Sequence, residues 1–98
     1  MNVLHADAKL VRLEADPDYR AGFGRDVVKA YRKRMQFIRA ARDEQDFYSM
    51  KSLHYEKLKG KRKHERSMRL NDQYRLILRI AEDGIGKTVI IIGIEDYH

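Results

Sequence analysis

The chain has 98 residues, which suffice for one domain with a single small core and are too few for two. Its 21 lysines and arginines outnumber 15 acidic residues and give a formal net charge of +6, so polyanions are the expected class of partner. The absence of cysteine excludes disulfides and cysteine-based zinc sites. No apolar run is long enough to cross a bilayer and no signal peptide is recognisable, so we expect one soluble cytoplasmic domain over residues 1–98 with no membrane partner.

The N-terminal half predicts one strand and two helices. Apolar and charged residues alternate from Ala8 to Glu14, which favours a short strand. Asp16 before Pro17 is typical of a helix start and predicts one or two helical turns, which end at Gly22. From Arg25 to about Arg42, apolar residues recur at helical spacing and predict a long helix. The polar side of that helix is almost wholly basic, and it is either a solvated face or a contact for a polyanion or acidic partner.

The C-terminal half predicts a loop followed by a small sheet. Residues 43–64 show no sustained period and are expected to form a loop with one helical turn near Phe47 to Lys51. Strands are predicted in "RSMRLN", "YRLILRI" and "KTVIIIGIED", the last apolar on both faces like a central strand covered on each side. The predicted fold is therefore α+β: an N-terminal strand, one short and one long helix, and a three-stranded antiparallel meander.

A dense basic cluster lies between residues 57 and 79, where nine lysines and arginines accompany only two acidic residues. Strand alternation places several arginines on the face opposite the apolar side chains, next to a flexible basic loop. This pattern favours contact with a phosphate backbone, and a plain solubilising surface is the alternative. The predicted RNA- or ribosome-binding side chains are Lys57, Lys59, Lys61, Arg62, Lys63, Arg66, Arg69 and Arg79.

Two histidines are candidates for acid–base chemistry on such a surface. Cleaving an RNA phosphodiester without metal needs a base for the 2′-hydroxyl, an acid for the leaving 5′-oxygen and a cation for the phosphate charge. Histidine suits the first two roles near neutral pH, and arginine suits the third. His54 and His98 are the candidates; the alternatives are a loop histidine with one hydrogen bond and an exposed end residue. The four histidines lack the spacing of a metal site, so we expect no metal and no cofactor.

The segment "SLHYEKLKGKRKHERSMRLNDQYRLILRI", followed by a turn, an apolar strand and "IEDYH", resembles the HigB branch of the RelE/ParE superfamily of type II toxin-antitoxin toxins. This resemblance implies a ribosome-dependent endonuclease that cleaves mRNA in the ribosomal A site, amid ribosomal RNA, and so inhibits translation. The same resemblance assigns Asn71 to the RNA-binding stretch. The catalytic residues that it implies are His54, Arg75, Asp96, Tyr97 and His98.

The resemblance also implies a protein partner, a HigA-like helix-turn-helix antitoxin encoded next to the gene. Two other functions stay open from the sequence. One is a ParE-like toxin that acts on DNA gyrase without nuclease residues, against which the "DYH" end argues. The other is a non-catalytic RNA- or ribosome-binding protein, for which the basic surface alone suffices.

Overall fold

A computed structural model describes residues 1–84 and 86–97. These residues form three helices on a five-stranded sheet, with single 3-10 turns at Lys51–Leu53 and Gly60–Arg62. The elements are β1 (Asn2–His5), α1 (Ala8–Ala15), α2 (Arg25–Ala40), α3 (Gln45–Ser49), β2 (Glu56–Lys57), β3 (Glu65–Arg69), β4 (Tyr74–Asp83) and β5 (Gly86–Asp96). The strand order is β1-β5-β4-β3-β2, with β1 parallel to β5 and every other pair antiparallel. Within the described ranges, no helix is long and apolar enough to span a membrane.

The core lies between the helices and one face of the sheet. Tyr31 and Met35 of α2 belong to the same buried cluster as Leu78 of β4 and Ile91 of β5, and all four are fully buried. The Tyr31 hydroxyl donates a 2.8 Å hydrogen bond to the backbone oxygen of Leu10, which ties α2 to α1. The opposite side of the sheet, which the helices do not cover, is called the open face below.

A β-bulge in β5 changes which side chains point to the open face. The register between β4 and β5 shifts between Ile77 and Leu78, where Ile92 is an extra residue on β5. Ahead of the bulge, odd-numbered residues such as Ile91 point to the helices. Beyond it the odd-numbered residues point to the open face, as Glu95 does. The end of β5 is thereby turned over relative to its start.

The predicted strand from Ala8 to Glu14 is wrong, because this segment forms helix α1. Leu10 and Leu13 are both buried and are three residues apart, the spacing of one helix face. Asp7 caps the helix, since its side chain accepts a 2.8 Å hydrogen bond from the backbone N–H of Lys9. The N-terminal strand exists, but it lies upstream as β1.

The short helix predicted after Pro17 is also wrong, because residues 16–24 form a turn between α1 and α2. Asp16 is the C-cap of α1, and its side chain accepts a 2.9 Å hydrogen bond from the backbone N–H of Asp18, so it starts a turn and is not the N-cap of a further helix. Ala21 and Gly22 then adopt positive φ angles of 52° and 85°, which a right-handed helix cannot contain.

The long helix is confirmed as α2, and the three C-terminal strands are confirmed as β3, β4 and β5. The sheet nevertheless has five strands, because β1 joins its edge beside β5 and β2 forms within the predicted loop 43–64, which also contains α3. Strand β5 is central in the sheet, but helices cover only one of its faces. On the open face Ile90 is half-buried and its neighbour Leu4 is 60% exposed.

Glu14 links the helices to β1 and makes the free energy of unfolding depend on pH in the acidic range. Its carboxylate accepts hydrogen bonds of 2.7 and 2.9 Å from Arg39 and lies 3.1 Å from His5 Nε2. The hydrogen bonds and charge of Arg39, aided by His5, hold the pKa of Glu14 below its ordinary value of 4.5 despite partial burial.

We therefore expect Glu14→Gln to lower the free energy of unfolding by roughly 1–2 kcal/mol near neutral pH. Because the pKa of Glu14 is lower in the folded state, its ionised carboxylate stabilises the fold at pH values above the pKa of the unfolded state. This contribution is lost as the pH falls through the pKa of the folded state. The difference between wild type and variant, measured by urea unfolding, should shrink as pH drops below 4.5. The exposed Glu82→Gln provides a matched control with little effect. A difference independent of pH would contradict a role for the Glu14 charge.

Candidate functional site

The open face carries a row of charged side chains across its last three strands. Arg69 of β3 lies directly opposite Arg75 of β4, which in turn lies opposite Glu95 of β5. Two arginines at one cross-strand position repel each other unless an anion lies between or beside them. Glu95 offsets part of this repulsion, but with two arginines and one glutamate the row keeps a net positive charge, which favours a negatively charged ligand.

Tyr97 covers the central arginine of this row. The Arg75 guanidinium carbon lies 4.0 Å from the centroid of the Tyr97 ring, a cation–π contact. The Arg75 side chain is only 14% exposed, whereas Tyr97 is 53% exposed. One face of the ring thus holds the guanidinium in place, while much of the tyrosine stays open to solvent.

The C-terminal segment is fastened to the turn between β3 and β4 through Gln73. The backbone N–H of Tyr97 donates a 2.6 Å hydrogen bond to the Gln73 backbone oxygen. The Gln73 side-chain amide donates a 3.0 Å hydrogen bond to Asp96 Oδ2. These bonds fix the positions of Asp96 and Tyr97 relative to Arg75.

Asn71 builds the same turn. Its Oδ1 accepts hydrogen bonds of 2.9 and 2.7 Å from the backbone N–H groups of Gln73 and Tyr74, and its Nδ2 donates a 2.7 Å hydrogen bond to Asp26 at the start of α2. Asn71 thus positions the β3–β4 turn against α2.

Two adjoining cavities on the open face share Arg75 and Tyr97. The first, here called the outer cleft, has a volume of about 230 Å³. The second, here called the inner pocket, has a volume of about 470 Å³. The outer cleft is lined by His54, Arg69, Asn71, Asp72, Arg75 and Tyr97. The inner pocket is lined by Leu58, Arg62, Ser67, Arg75, Ile77, Glu95, Asp96 and Tyr97.

His54 reaches the outer cleft because buried neighbours fix the backbone on both sides of it. Leu53 is fully buried, and buried Tyr55 donates a 2.7 Å hydrogen bond to Glu44. Burial, followed by this hydrogen bond and the Glu44 charge, raises the pKa of Tyr55. Between these anchors His54 adopts a left-handed conformation, with φ 48° and ψ 47°, and its side chain is exposed.

The structure therefore brings three of the predicted catalytic residues, His54, Arg75 and Tyr97, together in the outer cleft. Asp96 lines the inner pocket beside the shared Arg75 and Tyr97. His98 lies outside the described residues.

Of the predicted RNA-binding residues, two arginines on the open face are already paired with carboxylates. Arg62 donates hydrogen bonds of 2.8 and 2.6 Å to Glu95 and one of 2.7 Å to Glu65. The bonds to Glu95 and then Glu65 raise the pKa of Arg62. Arg69 pairs with Asp72. An RNA phosphate would have to compete with these carboxylates.

The other predicted RNA-binding residues are spread over both sides of the sheet. Arg66 lies on the helix side, where its Nε is 3.3 Å from Glu44 Oε2. Lys57 is its cross-strand partner and shares that side. Arg79 is exposed on the open face, opposite Glu65. The remaining lysines of the segment are exposed: Lys59, Lys61 and Lys63.

Among the residues of the site that were not predicted from the sequence, three make contacts that hold it together. Glu56 Oε1 lies 3.6 Å from Arg75 Nη1, Glu95 holds Arg62, and Gln73 fastens the C-terminal segment. Gln73 stands inside the quoted motif, so its position was a usable signal. The sequence contains no comparable signal for Glu56, because β2 is only two residues long and its pairing with β3 is not visible in the local pattern.

The inner pocket also contains two buried polar atoms without a hydrogen-bond partner among the described residues. Ser67 is fully buried, and neither its Oγ nor Arg75 Nη1 has a hydrogen-bond partner among the described residues. No group of three or more histidine or acidic side chains within the described ranges is arranged to hold a metal ion.

The sequence matches the family model for RelE-like toxins of the type II toxin-antitoxin system HigB over residues 4–98. The chain belongs to the HigB-like toxin family. Membership implies a cognate antitoxin as a partner of this toxin. The motif-based resemblance from the sequence is thereby confirmed, and it now extends over nearly the whole chain.

A solved structure of a YoeB/ParE toxin from Agrobacterium tumefaciens has the same fold as this HigB-like toxin. The match has a TM-score of 0.59, covers 100% of both chains and has 13% sequence identity. At this identity the likeness concerns the fold alone. No curated protein sequence matches the chain.

Proposed function

We propose that this HigB-like toxin is a ribosome-dependent endonuclease that cleaves mRNA in the ribosomal A site and thereby inhibits translation. The observation that carries the proposal is Arg75, which is held on the open face beneath the Tyr97 ring and shares the outer cleft with His54. A fixed guanidinium beside a histidine supplies the cation and one of the two proton-transfer groups that metal-free cleavage of an RNA phosphodiester needs. Toxins of this family are generally endoribonucleases, which adds support.

The proposed chemistry is acid–base catalysis without a metal. One of His54 and His98 accepts the proton of the RNA 2′-hydroxyl, whose oxygen attacks the adjacent phosphorus. The other histidine protonates the departing 5′-oxygen, which leaves a 2′,3′-cyclic phosphate and a 5′-hydroxyl. The guanidinium of Arg75 stabilises the extra negative charge that develops on the phosphate oxygens.

The remaining catalytic candidates position the reacting groups in this proposal. Asp96 orients a histidine, and its hydrogen bond with Gln73 restricts the directions in which its carboxylate can point. One face of the Tyr97 ring contacts the Arg75 guanidinium, so the other face is available to stack on an A-site base.

The outer cleft suits the scissile phosphate better than the inner pocket does. In the outer cleft, Arg69, Arg75 and His54 accompany a single carboxylate, that of Asp72. In the inner pocket, two arginines are balanced by two carboxylates. The balance of charge therefore favours a phosphate in the outer cleft.

The experiment that tests this function adds the purified toxin to a translating extract and maps the 5′ ends of a reporter mRNA. We expect in-frame cuts only on translated message and none on the same RNA without ribosomes. Intact message together with inhibited supercoiling would instead support a ParE-like action on gyrase. Intact message with ribosome binding would support a non-catalytic RNA- or ribosome-binding protein.

We further propose that the antitoxin is a HigA-like helix-turn-helix protein encoded beside the toxin gene, and that the toxin acts in the cytoplasm, where its ribosomal target lies. Co-expression with the neighbouring gene should abolish growth arrest, and persistence of the arrest would contradict this assignment.

A further inference from the structure

The inner pocket contains an ion pair that spans the open face of the sheet. Arg62 lies on the loop between β2 and β3, and its guanidinium donates hydrogen bonds of 2.8 and 2.6 Å to the two carboxylate oxygens of Glu95 on β5. Its Nε donates a further hydrogen bond of 2.7 Å to Glu65 on β3. Strand β4 lies between β3 and β5, so Arg62 connects two strands that are not neighbours.

The loop that carries Arg62 is fixed by hydrogen bonds of its own backbone. At the base of the loop, the backbone N–H of Leu58 donates a 3.1 Å hydrogen bond to the backbone oxygen of Glu65. Within the loop, the backbone N–H of Lys63 donates a 3.3 Å hydrogen bond to Gly60 and closes the 3-10 turn that contains Arg62. The Arg62 guanidinium therefore starts from a well-defined backbone position.

Glu95 binds Arg62 in the geometry in which arginine binds a phosphate. Two hydrogen bonds from one guanidinium to two oxygens of the same acid group are the preferred arrangement for carboxylates and phosphates alike. The Glu95 carboxylate therefore occupies the position on Arg62 that the oxygens of an RNA phosphate would take.

The main effect of this ion pair is on the charge of the pocket and not on folding. The side chains of Arg62 and Glu95 are each 44% exposed, and ion pairs this exposed stabilise a fold only slightly, because water screens the two charges. The charge effect is larger. With Glu95 ionised, two carboxylates balance the two arginines that line the inner pocket, whereas without that charge only Asp96 would oppose them.

We propose that Glu95 is a specificity-determining residue, which occupies the phosphate-binding position of Arg62 in the free toxin and thereby weakens the binding of RNA that no ribosome presents. This inference rests on the proposed function. An RNA phosphate binds Arg62 only when it displaces Glu95, and this exchange lowers the affinity for free RNA. A message that the ribosome holds at the open face has a high effective concentration and displaces Glu95 despite the competition.

The test measures the binding of a single-stranded RNA oligonucleotide to the whole toxin without ribosomes, by fluorescence anisotropy over a range of salt concentrations. The RNA is 2′-O-methylated, so that it has no 2′-hydroxyl to attack its own phosphate and stays intact. Glu95→Gln removes the charge and keeps the shape of the side chain. Glu82→Gln is the matched control, because Glu82 is an exposed carboxylate that lines neither cavity. Circular dichroism and a melting curve confirm that the variants are folded.

We expect Glu95→Gln to bind the free RNA about 3- to 5-fold more tightly than wild type, the change that corresponds to the loss of one exposed ion pair. The logarithm of its affinity should fall more steeply with the logarithm of the salt concentration, by about 0.7, because one more phosphate is bound. Both changes should disappear when Arg62→Gln is added, and Glu82→Gln should bind nearly as wild type does.

Three results would overturn the proposal. The first is an equal salt slope for wild type and Glu95→Gln. The second is weaker or undetectable binding of RNA by Glu95→Gln. The third is a gain in affinity that persists when Arg62→Gln is added, because the gain would then reflect the general charge of the protein and not the release of Arg62.

Cleavage of translated message separates this inference from the proposed function. Glu95→Gln should raise kcat/KM on ribosome-held message less than it raises the affinity for free RNA, and an equal gain on both would overturn the specificity role. If wild type cuts translated message while the salt slopes are equal, the role of Glu95 fails and the nuclease proposal is supported. If Glu95→Gln gains the RNA contact and neither protein cuts, the nuclease proposal fails while the phosphate position on Arg62 is supported.

Discussion

Replacing Arg75 by alanine is expected to reduce the rate of cleavage of translated mRNA by about 10²- to 10³-fold, the usual effect of removing a fixed charge-stabilising group from a reaction centre. The Tyr97 ring and Glu56 hold the Arg75 guanidinium, so its charge has a fixed position in the cleft. The measurement is the single-turnover rate on ribosome-bound message. Growth arrest on expression of the variant should be lost in parallel.

The controls separate loss of charge from loss of structure. Arg75→Lys keeps the charge but not the planar group that stacks on Tyr97, so we expect it to remain strongly impaired. Arg42→Ala removes an arginine whose side chain is 90% exposed and outside both cavities, and it should cleave as wild type does. An Arg75→Ala protein that is folded and cleaves at the wild-type rate would contradict the assignment of the phosphate site to Arg75.

The two histidines should have effects of comparable size. We expect His54→Ala and His98→Ala each to lower the cleavage rate by about 10²- to 10⁴-fold, the range of general acid–base catalysis. If the two act as a pair, the double variant should be little worse than either single variant. His64→Ala is the matched control, because His64 is an exposed histidine of the basic segment that lines neither cavity.

The pH dependence of the residual activity should identify the role of each histidine. Wild type is expected to show a bell-shaped profile, with the base controlling the acidic limb and the acid controlling the basic limb. Loss of the acidic limb would mark the replaced histidine as the base, and loss of the basic limb would mark it as the acid. Undiminished growth arrest by His98→Ala and by a chain lacking Asp96 to His98 would exclude the nuclease mechanism.

The parts of the fold that follow from local periodicity could be predicted from the sequence. Helix α2 has a continuous helical stripe, β3 and β4 alternate over most of their length, and β5 contains a continuous apolar run. The N-terminal elements could not be predicted in this way. Helix α1 has only eight residues, and the positions of its buried Leu10 and Leu13 fit a weak strand alternation as well as a helix. Strand β1 has four residues and is identifiable only through its parallel pairing with β5.

The candidate site, too, could be predicted from the sequence only in part. The residue types of His54, Arg75 and Tyr97 could be predicted from the chemistry and the family motif. Their arrangement could not, since the contact between Arg75 and Tyr97 depends on the register of β4 and β5 and not on sequence spacing. The carboxylates that pair with the arginines, Glu56 and Glu95, were missed for the same reason.

The bulge at Ile92 means that the site depends on the pairing register of β5 as well as on the identity of its residues. If β5 kept Ile92 but paired with β4 in a regular ladder, Glu95 would lie opposite Tyr74 instead of Arg75. Glu95 and Tyr97 would then point toward the helices, while Arg75 on the neighbouring strand would stay where it is. A single residue inserted between the bulge and Glu95 would cause the same shift and dismantle the cover over Arg75, even though every residue of the site remained in the chain. The pairing register of β5 thus decides whether the end of the strand belongs to the core or to the open face.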